Sequence, residues 1–147
     1  MGICLTANYK GAPSLEGSCR MLYSIRSRLA KAWDYEFGVH YSIIINLWEE
    51  EAFEAFNAKT DEILSHSRFS EDDIDLIKFW FASDCSGKVD YRTCKKLADL
   101  LTSIYINKEA DFAHINLRYL AYTGDDWGDL LKLLKGCYSH RANLIWY

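Results

Sequence analysis

The chain has 147 residues, half of them apolar and only one a proline, with 17 Lys/Arg against 21 Asp/Glu. This excludes a disordered chain and one that needs metal or disulfide staples to hold its core, and it predicts one domain, 1–147. The net charge of −4 is uneven: residues 1–40 carry five Lys/Arg against three Asp/Glu, and residues 41–147 carry twelve against eighteen. The acidic body speaks against general binding to nucleic-acid phosphate and suits a basic partner or a merely solvated surface.

In chain order, MGICLT fits the loose N-myristoylation pattern, with Gly2 as acceptor and Cys4 as a second acyl site. The same residues read more simply as a short strand with Ile3 and Leu5 on one face. Gly11, Pro13, Ser14 and Gly17 predict a loop, with Pro13 where a helix could begin. Residues 18–33 follow as a helix with Leu22, Ile25, Leu29 and Trp33 on one face, and Arg20, Arg26, Arg28 and Lys31 on the other sides. Gly38 is expected to break or bend the chain. Residues 39–66 are ambiguous, because three consecutive isoleucines suit a buried strand. Tyr41, Ile44, Trp48, Ala52, Phe56 and Ile63 recur near helical spacing, so helix is preferred, with a break near Asn57.

Ser70 ahead of Glu71, Asp72 and Asp73 predicts a capped helix start with Asp73 completing a capping box. Residues 90–105 form the clearest amphipathic helix, through Tyr91, Cys94, Leu97, Ala98, Leu101, Ile104 and Tyr105, with Asp90 as its N-cap. Residues 108–122 repeat the pattern and Gly124 ends it. A last helix opens at Asp125 and Asp126, buries Trp127, Leu130, Leu131 and Leu134, and stops at Gly136. The tail ANLIWY reads as extended and is expected to pair with residues 2–8. The fold class is therefore mainly α, with five or six packed helices and a small β pair formed by the N- and C-terminal segments.

The five cysteines (Cys4, Cys19, Cys85, Cys94, Cys137) are odd in number and lack paired spacing. No basic-then-apolar leader precedes them, so free thiols in the cytoplasm are expected. No apolar run approaches the ~20 residues that cross a bilayer, so no membrane partner is expected.

The stretch FASDCSGKVDYRTC, residues 81–94, invites a calcium reading. With Gly87 at the sixth position of a twelve-residue loop, 82–93, the ligand positions fall on Ala82, Asp84, Ser86, Lys88, Asp90 and Thr93. Ala82 offers no ligand, Thr93 replaces the bidentate glutamate, and Lys88 adds a repelling charge. Asp84, Ser86 and Asp90 remain, too few oxygen donors for tight binding. The simpler reading makes Gly87 a permissive bend and Asp90 a helix cap, with Cys85 and Cys94 facing the core. Through Ser83, Asp84, Cys85 and Gly87 the segment resembles a motif of small bacterial and phage proteins, in which a helix ends in a Ser-Asp-Cys-Asp-Gly-like run and a second amphipathic helix follows. Ser86 stands where those proteins favour an acid, and Ala82 where they favour a histidine. The MGI start and extended tail are similar too. The resemblance implies no activity.

Other chemistry is thinner. Cys137 and His140 are the one close pair of zinc-type ligands. Asp111 and His114 lie one helical turn apart, and no phosphate loop, dinucleotide fingerprint or cofactor motif occurs. Two acidic aromatic runs fit a partner surface. In WEEEAFEAF, Trp48 stands beside Glu49, Glu50 and Glu51; in GDDWGD, Trp127 stands between Asp125, Asp126 and Asp129. Aromatics supply desolvated contact and acids steer encounter. Each run also reads as an amphipathic core helix with a charged outer face. With five Trp, ten Tyr and seven Phe, more rings are present than a core of this size hides. The leading expectation is a non-enzymatic acidic protein-binding module, in its sharpest form an inhibitor or immunity-type protein neutralising a basic partner, with a homo-oligomer left open. The alternatives are a metal-responsive helix–loop–helix protein centred on residues 82–93 and an enzyme whose site forms only in three dimensions.

Overall fold

The computed structural model describes residues 2–107 and 126–147, a mainly helical structure carrying one small antiparallel sheet. The strands are β1 (Gly2–Ala7), β2 (Leu15–Ser18), β3 (Gly87–Val89) and β4 (Leu144–Trp146). The helices are α1 (Cys19–Trp33), α2 (Tyr35–Tyr41), α3 (Glu50–Leu64), α4 (Ile74–Phe81), α5 (Tyr91–Asn107) and α6 (Asp126–His140), with short 3-10 turns at Ser42–Asn46 and Glu71–Asp73. The segment 108–122, expected to be helical, and its stop at Gly124 lie outside the described residues.

The sheet order is β2-β1-β4-β3, so the expected pairing of β1 with β4 forms its centre. Alternation explains its inner face: Ile3, Leu5 and Ala7 of β1, Leu15 of β2, and Leu144 and Trp146 of β4 are buried against the helices. The sheet has four strands rather than two. Leu15–Ser18 is a strand where a loop was expected, and Gly87–Val89 is a strand where only a bend was. Segments of four and three residues are too short to display a period. Their glycines serve close approach instead: a Cβ on Gly87, directly opposite Trp146, would lie 2.2 Å from that indole ring.

Helix α1 buries Leu22, Ile25 and Leu29 as expected, and also Arg26, which was placed on a solvated side. The chain breaks at Asp34, not at Gly38. Asp34 is extended, and its carboxylate accepts from the Phe37 N–H at 2.9 Å to cap α2. Gly38 lies inside α2, where a Cβ would come within 2.4 Å of the Lys31 backbone, so α1 and α2 cross in contact there. The helix expected over 39–66 is interrupted by the 3-10 turn Ser42–Asn46 and resumes at Glu50, then runs unbroken through Asn57. The break falls at Ile43, Ile44 and Ile45, whose branched side chains are stiff in a helix. Exposed Asn57 is tolerated.

The capping box forms as read from sequence: the Ser70 N–H donates to Asp73 Oδ2 at 2.8 Å and the Asp72 N–H donates to Ser70 Oγ at 3.3 Å. Asp90 caps α5, accepting from the Thr93 N–H at 2.8 Å. Cys94, Leu97, Ala98, Leu101 and Ile104 of α5 are buried, as are Trp127, Leu130, Leu133, Leu134 and Cys137 of α6. Helix α6 passes through Gly136 and ends at His140, after which Arg141, with a φ of 51°, turns the chain. No described helix is long and apolar enough to cross a membrane.

Candidate functional site

Two regions hold the side chains singled out from sequence, and their physical states are opposite. The first is the loop between α4 and α5. Asp84 Oδ1 accepts from Arg26 Nη1 at 2.7 Å, with the arginine side chain 1% exposed and the aspartate 60%. The guanidinium lies over the rings of Phe79, at 5.1 Å, and Trp146, at 5.5 Å. The Ser83 carbonyl accepts from Trp146 Nε1 at 2.9 Å and from Arg26 Nη2 at 3.4 Å. The run Ser83–Gly87 therefore latches α1 to β4: one carboxylate, one carbonyl and one missing Cβ hold a buried cation and a buried indole.

Electrostatics follow from that burial. Removal from water pulls the Arg26 pKa down, while Tyr41 and Asp84 push it back. Burial pushes the Tyr41 hydroxyl up to about 12, and its proton is donated to the Trp80 carbonyl at 2.9 Å. Of the three candidate metal ligands, Asp84 is paired with Arg26, Asp90 caps α5 and Ser86 is exposed. Burial pushes Asp90 up, but hydrogen bonds from Thr93 and Arg92 together with the Arg92 charge outweigh that and leave its pKa lowered. Among the described residues no three His, Cys, Asp or Glu side chains gather where a metal ion could sit. Cys85 is exposed, contrary to expectation, because the loop turns it away from the core that Cys94 enters.

The second region runs from α2 to the start of α3. Trp48 is 91% exposed, and exposed Glu49, Glu50 and Glu51 follow it. Among the described residues, six of the ten exposed large apolar side chains fall between positions 35 and 53: Tyr35, Val39, Ile43, Ile45, Trp48 and Phe53. Residues 35–58 contain no Lys or Arg. Arg68 reaches in to Asp34 Oδ2 at 2.7 Å and Glu36 Oε1 at 2.6 Å. Glu49, Glu50, Glu51 and Glu54 make no ion pair among the described residues. The arc has a firm base. His40 stacks on Phe56 with centroids 4.2 Å apart and its Nε2 lies 2.8 Å from Thr60 Oγ1, which ties α2 to α3. Phe81 meets Phe37, Tyr41 and Phe56 edge-on.

The other expected partner run does not match this one. Trp127 is 5% exposed and packs in the core, so its ring offers no contact area to a partner. Asp126 opens α6, and Asp125 lies outside the described residues. A shallow open hollow of about 900 Å³ on the outer sheet face is lined by Cys4, Glu16 and Tyr147 among others, and no histidine joins that thiol.

Sequence reading gave Arg26, Tyr41 and Trp146 a place on a helix or strand but no role in this cluster. For Arg26 a signal existed: it lies four residues after Leu22 and three before Leu29, on the apolar stripe itself. No protein-family model matches the chain, and neither does any curated protein or solved structure.

Proposed function

We propose that this chain is a non-enzymatic, cytoplasmic protein-binding module whose acidic aromatic arc seats a basic protein partner, in the manner of an inhibitor or immunity-type protein. The observation that carries the reading is Trp48, 91% exposed and followed by three glutamates that make no ion pair among the described residues. A 91% exposed indole, with Ile43, Ile45 and Phe53 also exposed within five positions of it in the chain, contributes nothing to the core. On a partner it becomes a large, rigid anchor with two side-chain torsions to immobilise. The glutamates add electrostatic steering towards a basic surface and repel acidic competitors.

Paired affinity capture with the wild-type chain and Trp48→Ala, followed by reconstitution from purified components, tests this. One basic protein should bind the wild type at one-to-one stoichiometry, with affinity falling as salt rises and dropping about 30-fold in the variant, roughly 2 kcal/mol. Equal affinity for the variant, or a wild-type chain that retains nothing, overturns the reading.

A further inference from the structure

The geometry points to the kind of element that fills the arc, an inference that rests on the reading just given: a basic amphipathic helix of the partner protein. Its apolar stripe would lie on Ile43, Ile45, Trp48 and Phe53, and its Lys/Arg flank would face the four unpaired glutamates.

Three observations select that occupant. The first is charge. The arc holds no Lys or Arg from position 35 to 58, and Glu49, Glu50, Glu51 and Glu54 make no ion pair among the described residues, whereas Glu36 already pairs with Arg68. The complement is cationic. The second is backbone chemistry. The arc is built from α2, a 3-10 turn and α3, and at the short extended join the Leu47 N–H already donates to the Ile44 carbonyl and the Glu49 carbonyl already accepts from the Phe53 N–H. The extended join, 47–49, is too short an edge to hold a strand ladder. An extended peptide laid here would leave most of its own N–H and C=O groups unpaired against the surface, whereas a helix arrives with its backbone satisfied and recognition rests on side chains. The third concerns a second copy of this chain. A two-fold contact through the arc would set the glutamate run against itself, and like charges oppose that pairing.

A synthetic Leu/Lys peptide of about 18 residues, patterned at the helical period, is the probe. A peptide of identical composition patterned at period two is the control. Trp48 reports directly, because Trp80, Trp127 and Trp146 are buried and Trp33 is half-buried. The helical peptide should blue-shift the exposed emission, gain helical circular dichroism on binding, and bind at least about tenfold more tightly than the control. Trp48→Ala and the triple variant Glu49→Gln/Glu50→Gln/Glu51→Gln should each weaken it about tenfold, the second removing most of the salt dependence. Equal binding of both peptides, no binding of the helical one, or indifference to both variants overturns the inference. Self-association that Trp48→Ala abolishes, read by sedimentation, assigns the arc to a second copy and also overturns it. If a captured basic protein depends on Trp48 while the helical peptide neither binds nor competes, the partner reading stands and the helix falls.

Discussion

The 82–90 loop and the arc from α2 to the start of α3 both place carboxylates beside aromatic rings, yet one is closed and the other open. In the loop, Asp84 faces Arg26 and Asp90 faces the first turn of α5. In the arc, Trp48 and its glutamates face water. The difference teaches that chemistry-bearing residue types identify a site only after their internal partners have been counted. A carboxylate already holding a buried cation is architecture. One left free beside an exposed indole is available to another molecule.

The sharpest way to break this contrast is to damage the loop. Gly87→Ala would place a methyl 2.2 Å from the ring of Trp146, itself 1% exposed and unable to retreat. Unfolding by urea should show a loss of about 3 kcal/mol or no folded protein. Next, Asp84→Ala leaves a buried guanidinium without its counter-ion. Because the aspartate is 60% exposed, water replaces part of the loss, and about 2 kcal/mol is expected. Arg26→Met removes the charge itself and should cost less, under about 1.5 kcal/mol. An Asp84 variant more stable than the Arg26 variant would show that the latch is not electrostatic.

The arc should behave in reverse. Trp48→Ala should change stability by under about 0.5 kcal/mol while abolishing most partner affinity. A large loss of stability would make Trp48 a structural residue and dissolve the contrast. Beside the arc, hydrogen bonding to Arg68 holds the Asp34 carboxyl below its ordinary range, with the Phe37 N–H helping. The pair therefore supports the fold fully above about pH 4, the ordinary carboxylate value, and the support fades as pH falls through the lowered folded value. Thermal melts from pH 6 down to pH 2 should show the wild type losing its advantage over Arg68→Met in that acid window. A constant difference across it would remove the ion pair from the account. The smallest effect is expected from calcium: millimolar additions should move the melting temperature by under about 1 °C, and a larger shift lost in Asp84→Ala would reopen the loop as a metal site.

Helix positions were legible because apolar stripes at Leu22–Leu29, Cys94–Ile104 and Trp127–Leu134 repeat over several turns. The β1–β4 pair was legible because both segments alternate and no helical stripe claims them. Ser70 and Asp90 announced helix starts through their own side-chain chemistry. What stayed hidden was short or cooperative. Strands β2 and β3 have too few residues for a period, and the 3-10 turn at Ser42–Asn46 reflects crowding among three isoleucines rather than any breaker residue. Arg26 was misplaced because a charged residue is buried only when a carboxylate from 58 positions away and two rings arrive together. Of the two acidic aromatic runs, each readable as partner anchor or as core helix, Trp48 is exposed, whereas Trp127 carried the same local signature and entered the core. The local pattern of acids around an indole cannot say which face of the helix meets its neighbours.

The position of β4 between β1 and β3 also has a kinetic side. During synthesis the β1–β2 hairpin and the early helices can form as they emerge, but Gly87–Val89 has no neighbour to pair with until Leu144–Trp146 appears. Until then the cation of Arg26 and the ring of Phe79 lack their indole cover. A nascent chain halted before Leu144 should consequently expose a sticky, half-assembled interior to ribosome-associated chaperones, and pairing of Leu144–Trp146 with its two neighbours should be the moment at which this region becomes resistant to proteases.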